Sequence, residues 1–341
     1  MKAHRSDGFH GETMTERRGW LLLTNDDGIE AVGFRLMVQA LHAAGFPLAV
    51  LAPSANHSAT GMRINLMQPM PFRSRKDLID TWGLDPHACP VHLFELDGTP
   101  CDTMIVALDG GLQRLVPGIA PQLVVSGVNL GPNLSQDAYH SGTMGAAREA
   151  GLYGVPALAS SYTSFDAEGM ERAVAATVEA VRRLCDCLPS VAVNLGRPHG
   201  QMDTGYFTAW PTPNNDARWL ASPDEALMEA FSNGDLMLNL NTPPQWDGDW
   251  ACTRLGVRWY RNAVHFDGDD GFETATFTIG AASVDHSPVL LGDCDAVEEG
   301  KASLSPLSVW PQSHPFALDE DLLAHGLETA VDGWPTWLTR G

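Results

Sequence analysis

The sequence predicts an α/β fold: a three-layer sandwich around a mostly parallel sheet, with β-strand elaboration toward the C-terminus. Three observations predict it. Short apolar runs alternate with amphipathic helical stretches through residues 20–187, and apolar runs without polar alternation are the mark of parallel strands covered on both faces. The first strand, helix and strand fit within residues 20–53, the span of a right-handed βαβ unit. From about residue 250 to 310 the helical pattern gives way to short alternating runs such as Thr274–Ile279, which read as antiparallel strands.

Taken in order, residues 1–18 are polar, charged and without period, and read as a loose extension. Trp20–Thr24 is a buried strand. Phe34, Met37, Val38 and Leu41 then fall at i, i+3, i+4 and i+7, the stripe of an amphipathic helix. "PLAVLAP" over Pro47–Pro53 is a second buried strand, and residues 68–92 read as an irregular loop or hairpin excursion. "QLVVSG" at 122–127 is a strand running into a Gly/Asn-rich loop. The small residues Gly142, Gly145, Ala146 and Ala147 open a closely packed helix, and "PALASS" at 156–161 is another strand. Met170, Val174, Val178, Val181 and Cys185 stripe the next helix, which Pro189 closes. Residues 197–235, rich in Pro, Asn, Asp and Trp, read as an insertion, and "LMLNLNTP" at 236–243 returns to the strand pattern. This divides the chain into an extension (1–18), a core (19–196), the insertion (197–235) and a C-terminal part (236–341) that supplies the return strand, antiparallel strands and a tail.

Composition narrows the function. With 42 acidic and 21 basic residues the net charge is −21, a field that repels a polyphosphate backbone and excludes binding to duplex nucleic acid. No apolar run is long enough to span a bilayer, and the N-terminus lacks the apolar segment of a secretory signal, so a cytoplasmic location is expected. The six cysteines form no C-x-x-C pair and read as reduced thiols. A small phosphorylated substrate would still need a local cation to approach so acidic a chain.

The motifs supply one. In open α/β sheets ligands bind outside the carboxyl ends of the strands. Three turns rich in Asn, Ser and Asp occupy such ends: Asn25-Asp26-Asp27-Gly28, "SANHSATG" at 54–61 and "SGVNLGPN" at 126–133. Alone, the first is equally an Asx turn capping a helix. Together they deliver hard oxygen donors to one rim, and two adjacent carboxylates are tolerable there if a divalent cation, Mg²⁺ or Mn²⁺, sits against them. No His spacing suits zinc. "YHSGTMGAAREA" at 139–150 can be an ordinary capped helix start, or a phosphate cradle made by exposed N–H groups. "LDGTPCD" at 96–102 reads as a turn before a helix.

"LLLTNDDGIEAVGFRLMVQAL", "VLAPSANHSATG", "LDGTPCD", "LVVSGVNLGPNL" and "HSGTMGAAREAGLYGVPALASS" resemble, in order, the signature blocks of the SurE-type survival proteins, metal-dependent 5′/3′-nucleotidases. The resemblance implies a Rossmann-like core binding one divalent cation through Asp26, Asp27, Ser58 and Asn129. It implies hydrolysis of nucleoside 5′- or 3′-monophosphates, and assembly as a homodimer or homotetramer. In this reading Asp26, the acid nearest the strand end, orients or deprotonates the attacking water. Asn25, Asn133 and the Ser141, Gly142 and Thr143 amides hold substrate, and His140 is a candidate proton donor to the leaving group. Three departures stand out: His140 replaces a common Tyr, Ser135 a common Gly, and 197–235 is longer than usual. A broader acid phosphatase, a short-chain exopolyphosphatase and a non-catalytic ligand sensor are the alternatives. A dinucleotide-dependent oxidoreductase would need a Gly-rich first turn, which NDDG is not.

Overall fold

Trp20–Thr24 lies inside the sheet because neither of its faces meets water: Leu21 and Leu23 enter one apolar layer and Leu22 the other. The computed structural model describes residues 18–197, 222–267, 276–280 and 283–339. Its strands are β1 (Trp20–Thr24), β2 (Leu48–Pro53), β3 (Phe72–Ser74), β4 (Val91–Leu96), β5 (Pro121–Leu130), β6 (Ala157–Tyr162), β7 (Leu236–Thr242), β8 (Trp250–Cys252), β9 (Val257–Arg261), β10 (Val264–Asp267), β11 (Thr276–Ile279), β12 (Ser283–Ser287) and β13 (Ala302–Ser308). Among the described residues the main sheet runs β3-β4-β2-β1-β5-β6-β7-β13-β8. From β4 to β7 every neighbouring pair is parallel, while β3 and β13 run antiparallel to their inner neighbours.

The helices are α1 (Val32–Ala43), α2 (Lys76–Thr81), α3 (Pro100–Val106), α4 (Leu112–Leu115), α5 (Asp137–His140), α6 (Gly142–Leu152), α7 (Met170–Cys187), α8 (Pro223–Ser232), α9 (Asp293–Glu298) and α10 (Glu320–His325). Helices α1, α7 and α8 cover one face through Phe34, Met37, Leu41, Val181, Leu184 and Phe231. Helices α3, α4 and α6 cover the other through Met104, Leu112, Met144, Ala147 and Ala150. This is the predicted three-layer α/β architecture.

Local readings change in four places. Residues 68–92 hold β3, α2 and the first residues of β4, and β3 pairs antiparallel with β4 as a hairpin excursion would; β3 and α2 are too short to show a period. The strand begun at "QLVVSG" continues to Leu130, with a shift in its pairing to β6 between Ser126 and Asn129. Within 250–310, β8 pairs with β13 in parallel and not antiparallel, whereas β9 with β12 and β10 with β11 form antiparallel ladders. Within 197–235, residues 198–221 lie outside those described, but Pro223–Ser232 is a core-packed helix. Ser222 caps it, Pro223 opens it and Glu225 closes the capping box. The 1–18 extension falls, except for Arg18, outside the described residues.

Arg197 holds the edge from which residue 198 departs. Its guanidinium donates to the carbonyls of Leu152 (2.8 Å) and Gly151 (2.5 Å) and pairs with the fully buried Asp235 at 2.9 Å. It also lies 5.1 Å from the ring centre of Trp310, a cation–π distance.

Candidate active site

At the carboxyl end of β1 the chain turns at once. The Asn25 side-chain amide donates to the Gly28 carbonyl at 2.8 Å, bracing the turn that carries Asp26 and Asp27. The second turn is tied to the first, because the His57 amide donates to the Asp26 carbonyl at 2.7 Å. Asp27 joins all three turns: its carboxylate accepts from the Leu130 amide at 3.2 Å and from the Asn56 side chain at 3.2 Å. Asn56 in turn accepts from the Ser58 amide at 2.9 Å. The Asn129 side chain donates to the Gly131 carbonyl at 2.8 Å, which fixes the amide by its nitrogen and leaves its carbonyl oxygen as a donor atom. Ser58 is exposed on its turn.

The fourth segment arrives from the other layer. Ser141 caps α6 by accepting from the Met144 amide at 3.1 Å. Thr143 donates its hydroxyl to Asp26 Oδ1 at 2.5 Å, and its amide also serves the Asp26 carboxylate. Of the three amides expected to cradle a phosphate, Ser141 donates to the Asp137 carbonyl at 3.0 Å and Thr143 serves Asp26, which leaves Gly142 as the one without a described hydrogen bond. Gly142 is required by contact, since a Cβ there would stand 2.8 Å from the Asp26 Cβ and 3.0 Å from Thr60 Oγ1. A Cβ on Gly145 would come within 2.2 Å of the Gly61 carbonyl, so any side chain would push the 54–61 turn off the helix.

Asp26 is 2% exposed, and burial, opposed by the Thr143 hydroxyl and reinforced by the charge of Asp27, raises its pKa to about 6. Burial also raises Asp27, against the Leu130 and Asn56 hydrogen bonds. Neither acid has an Arg or Lys partner among the described ion pairs. The Asn25 carbonyl oxygen is buried without a hydrogen bond. Among the described residues no cluster of three His, Cys, Asp or Glu side chains could hold a metal, so the donors are two carboxylates and neutral oxygens. That donor chemistry suits a hard divalent cation.

The remaining expected residues are placed as follows. His140 ends α5, is exposed, and accepts from the Gly61 amide through its carbonyl at 2.8 Å, two residues before Gly142. Asn133 is buried. Its amide donates to Asn241 Oδ1 at 2.8 Å, its side chain donates to Ser161 at 2.7 Å, and its carbonyl accepts from Asn239 at 2.9 Å. These bonds bind the loop after β5 to the sheet. The sequence reading missed Asn56 and the Thr143 hydroxyl; the Asn inside "SANHS" was the available signal for the first. Ser135, flagged for its unusual identity, has a positive φ of 51°, and its hydroxyl accepts from the Arg258 amide at 3.1 Å.

A family model described as Survival protein SurE matches residues 21–262. A 5′-nucleotidase SurE of Synechococcus sp. (strain WH7803) is 37% identical over 249 residues, covering 68% of this chain and 85% of that protein. The 5′-nucleotidase SurE of Prochlorococcus marinus (strain MIT 9515) is 28% identical over 296 residues, covering 84% and 89%. Among solved structures, the SurE protein from Aquifex aeolicus superposes with a TM-score of 0.59 at 23% identity, over 85% of this chain and 94% of that one. At that identity it shows the shared fold.

Proposed function

The chain belongs to the SurE family, and from that premise we propose that it is a metal-dependent phosphomonoesterase hydrolysing nucleoside monophosphates. The observation that carries the reading is the pair Asp26–Asp27: Asp26 is buried against the Gly142 end of α6, Asp27 is half-buried beside it, and neither has a basic partner among the described ion pairs. A cation at this pair, Mg²⁺ or Mn²⁺, would neutralise phosphate charge as it gathers in the transition state and sharpen the acidity of water. The protein's own groups do the rest. Thr143 holds the Asp26 carboxylate, which orients the attacking water and takes its proton. The Gly142 amide receives a phosphate oxygen. The water oxygen bonds to phosphorus, the ester P–O bond breaks, and His140 gives its proton to the leaving alkoxide. Turnover of a nucleoside monophosphate with and without Mn²⁺ tests the reading. Absence of any metal-stimulated phosphate release would reject it.

His140 is exposed, which favours the proton-donor role over packing. General acid catalysis matters most for a poor leaving group. His140→Gln should therefore lower nucleotide turnover about a hundredfold and leave p-nitrophenyl phosphate nearly unchanged. Equal losses on both substrates would assign His140 to positioning instead.

Assembly is the second expectation. The β9–β12 and β10–β11 ladders expose Trp259 (49%), Phe277 (63%) and Ile279 (82%), apolar surface that a monomer rarely leaves to water. A homodimer or larger assembly through this arm is the proposed state. Light scattering at micromolar concentration should give at least twice the chain mass of 36.8 kDa; the mass of one chain would refute it. All six cysteines are free thiols, which supports a reducing, cytoplasmic setting. No described helix is long and apolar enough to cross a membrane.

A further inference from the structure

The loop after β6 carries one large apolar side chain where a soluble protein has no packing use for it. Phe165 is 79% exposed. Three carbons of its ring lie 2.9, 3.2 and 3.7 Å from where a Cβ on Gly131 would stand. Gly131 has a φ of +123°, which favours glycine, and the missing side chain lets the ring lie along the backbone. The same residue fixes the site: its carbonyl accepts from Asn129 at 2.8 Å, and its amide donates to Tyr162 at 3.0 Å. Phe165 thus packs on the residue whose carbonyl holds the Asn129 side chain.

The loop that presents the ring is built rather than slack. The Thr163 amide donates to the Thr242 carbonyl at 3.0 Å. The Asp166 amide donates to Ser164 Oγ at 3.0 Å, and the Glu168 amide to Asp166 Oδ1 at 3.1 Å. The Tyr162 hydroxyl closes the loop by donating to the Glu168 carbonyl at 2.5 Å. A cavity of about 230 Å³, lined in part by Pro132, Leu134 and Thr163, opens on the same two loops.

We propose that Phe165 is a stacking platform for the nucleobase of the substrate and sets the preference for nucleotides over other phosphomonoesters. The proposal rests on the nucleotidase reading above. An aromatic face suits any of the bases, because each offers a π-surface, and stacking is indifferent to sequence-like hydrogen-bond patterns. It also suits this chain electrostatically. With a net charge of −21, the protein gains most from a contact that holds the neutral part of an anionic substrate.

The test compares a nucleoside 5′-monophosphate with ribose 5-phosphate, which carries the same phosphate ester and no base. Phe165→Ala should raise KM for the nucleotide about five- to a hundredfold, leave kcat nearly unchanged and leave KM for ribose 5-phosphate within about twofold. Phe165→Trp should restore the nucleotide KM. An equal change on both substrates, or none on either, overturns the platform while wild-type nucleotide turnover keeps the nucleotidase reading. A wild-type protein that hydrolyses no nucleotide overturns that reading and the platform with it.

Discussion

Asp27→Asn is expected to remove nearly all phosphatase activity while leaving the protein folded. Outer partners of metal ligands typically cost ten- to a hundredfold when lost, so replacing a carboxylate ligand should cost roughly a hundredfold or more. The fold has less at stake: one of the two hydrogen bonds from Leu130 and Asn56 is weakened, worth about 1 kcal/mol. A second readout separates binding from chemistry. A cation that binds the native state at a hundred times its Kd adds about 2.7 kcal/mol of stability, so Mn²⁺ should raise the unfolding midpoint of the wild type. It should not do so for Asp27→Asn, and EDTA should reverse the effect in the wild type. Full activity of the variant in EDTA would sink the assignment of the metal to this pair.

The largest expected effect on stability lies away from the site, at Arg197. Asp235 has no exposed surface, and the guanidinium paired with it at 2.9 Å is itself only 18% exposed. Removing one partner of a buried pair costs about 3–5 kcal/mol, because the desolvated charge stays behind. Exposed pairs contribute about 0–1 kcal/mol, so the two regimes are easily told apart. Arg197→Ala should therefore lower the unfolding free energy by about 3 kcal/mol, read from the midpoint and slope of urea denaturation. A loss below about 1 kcal/mol would place the pair among solvent-screened surface bridges.

How much of this was legible depends on the scale of each signal. α1 and α7 were readable because their apolar stripes run long enough to show a period, and β1 and β2 because they are unbroken apolar runs. β3, α2 and β8 are three to six residues long, below the length at which any period exists. α8 was missed because it starts one residue after a stretch without pattern, although its Ser-Pro-Asp-Glu start is a capping signature. For the site, the three oxygen-rich turns could be grouped because strand ends in a parallel sheet share a rim. The bonds from Asp27 to Leu130 and Asn56 bring them together physically. The Thr143 hydroxyl could not be assigned from sequence, since a Thr at a helix start has a sufficient local use. Its bond to Asp26 depends on α6 crossing to the end of β1, and Asn133 likewise reveals its partners only once β7 lies beside β6.

The bond between Asp26 and Thr143 joins residues 117 positions apart, and that between Asp27 and Leu130 joins residues 103 apart. The order of synthesis follows from this. When the β1 turn is made, Asn56 follows 29 residues later, but the Leu130 amide and the Thr143 hydroxyl that also hold its two acids are far behind. At about 5–20 residues per second, the 117 residues up to Thr143 take about 6–23 s to appear. During that interval Asp26 and Asp27 are ordinary solvated carboxylates on an unfinished chain, with no helix start to meet. The site is thus assembled by loop closure over long separations, a slow class of folding event. A nascent or truncated chain ending before residue 130 carries the acids without the site.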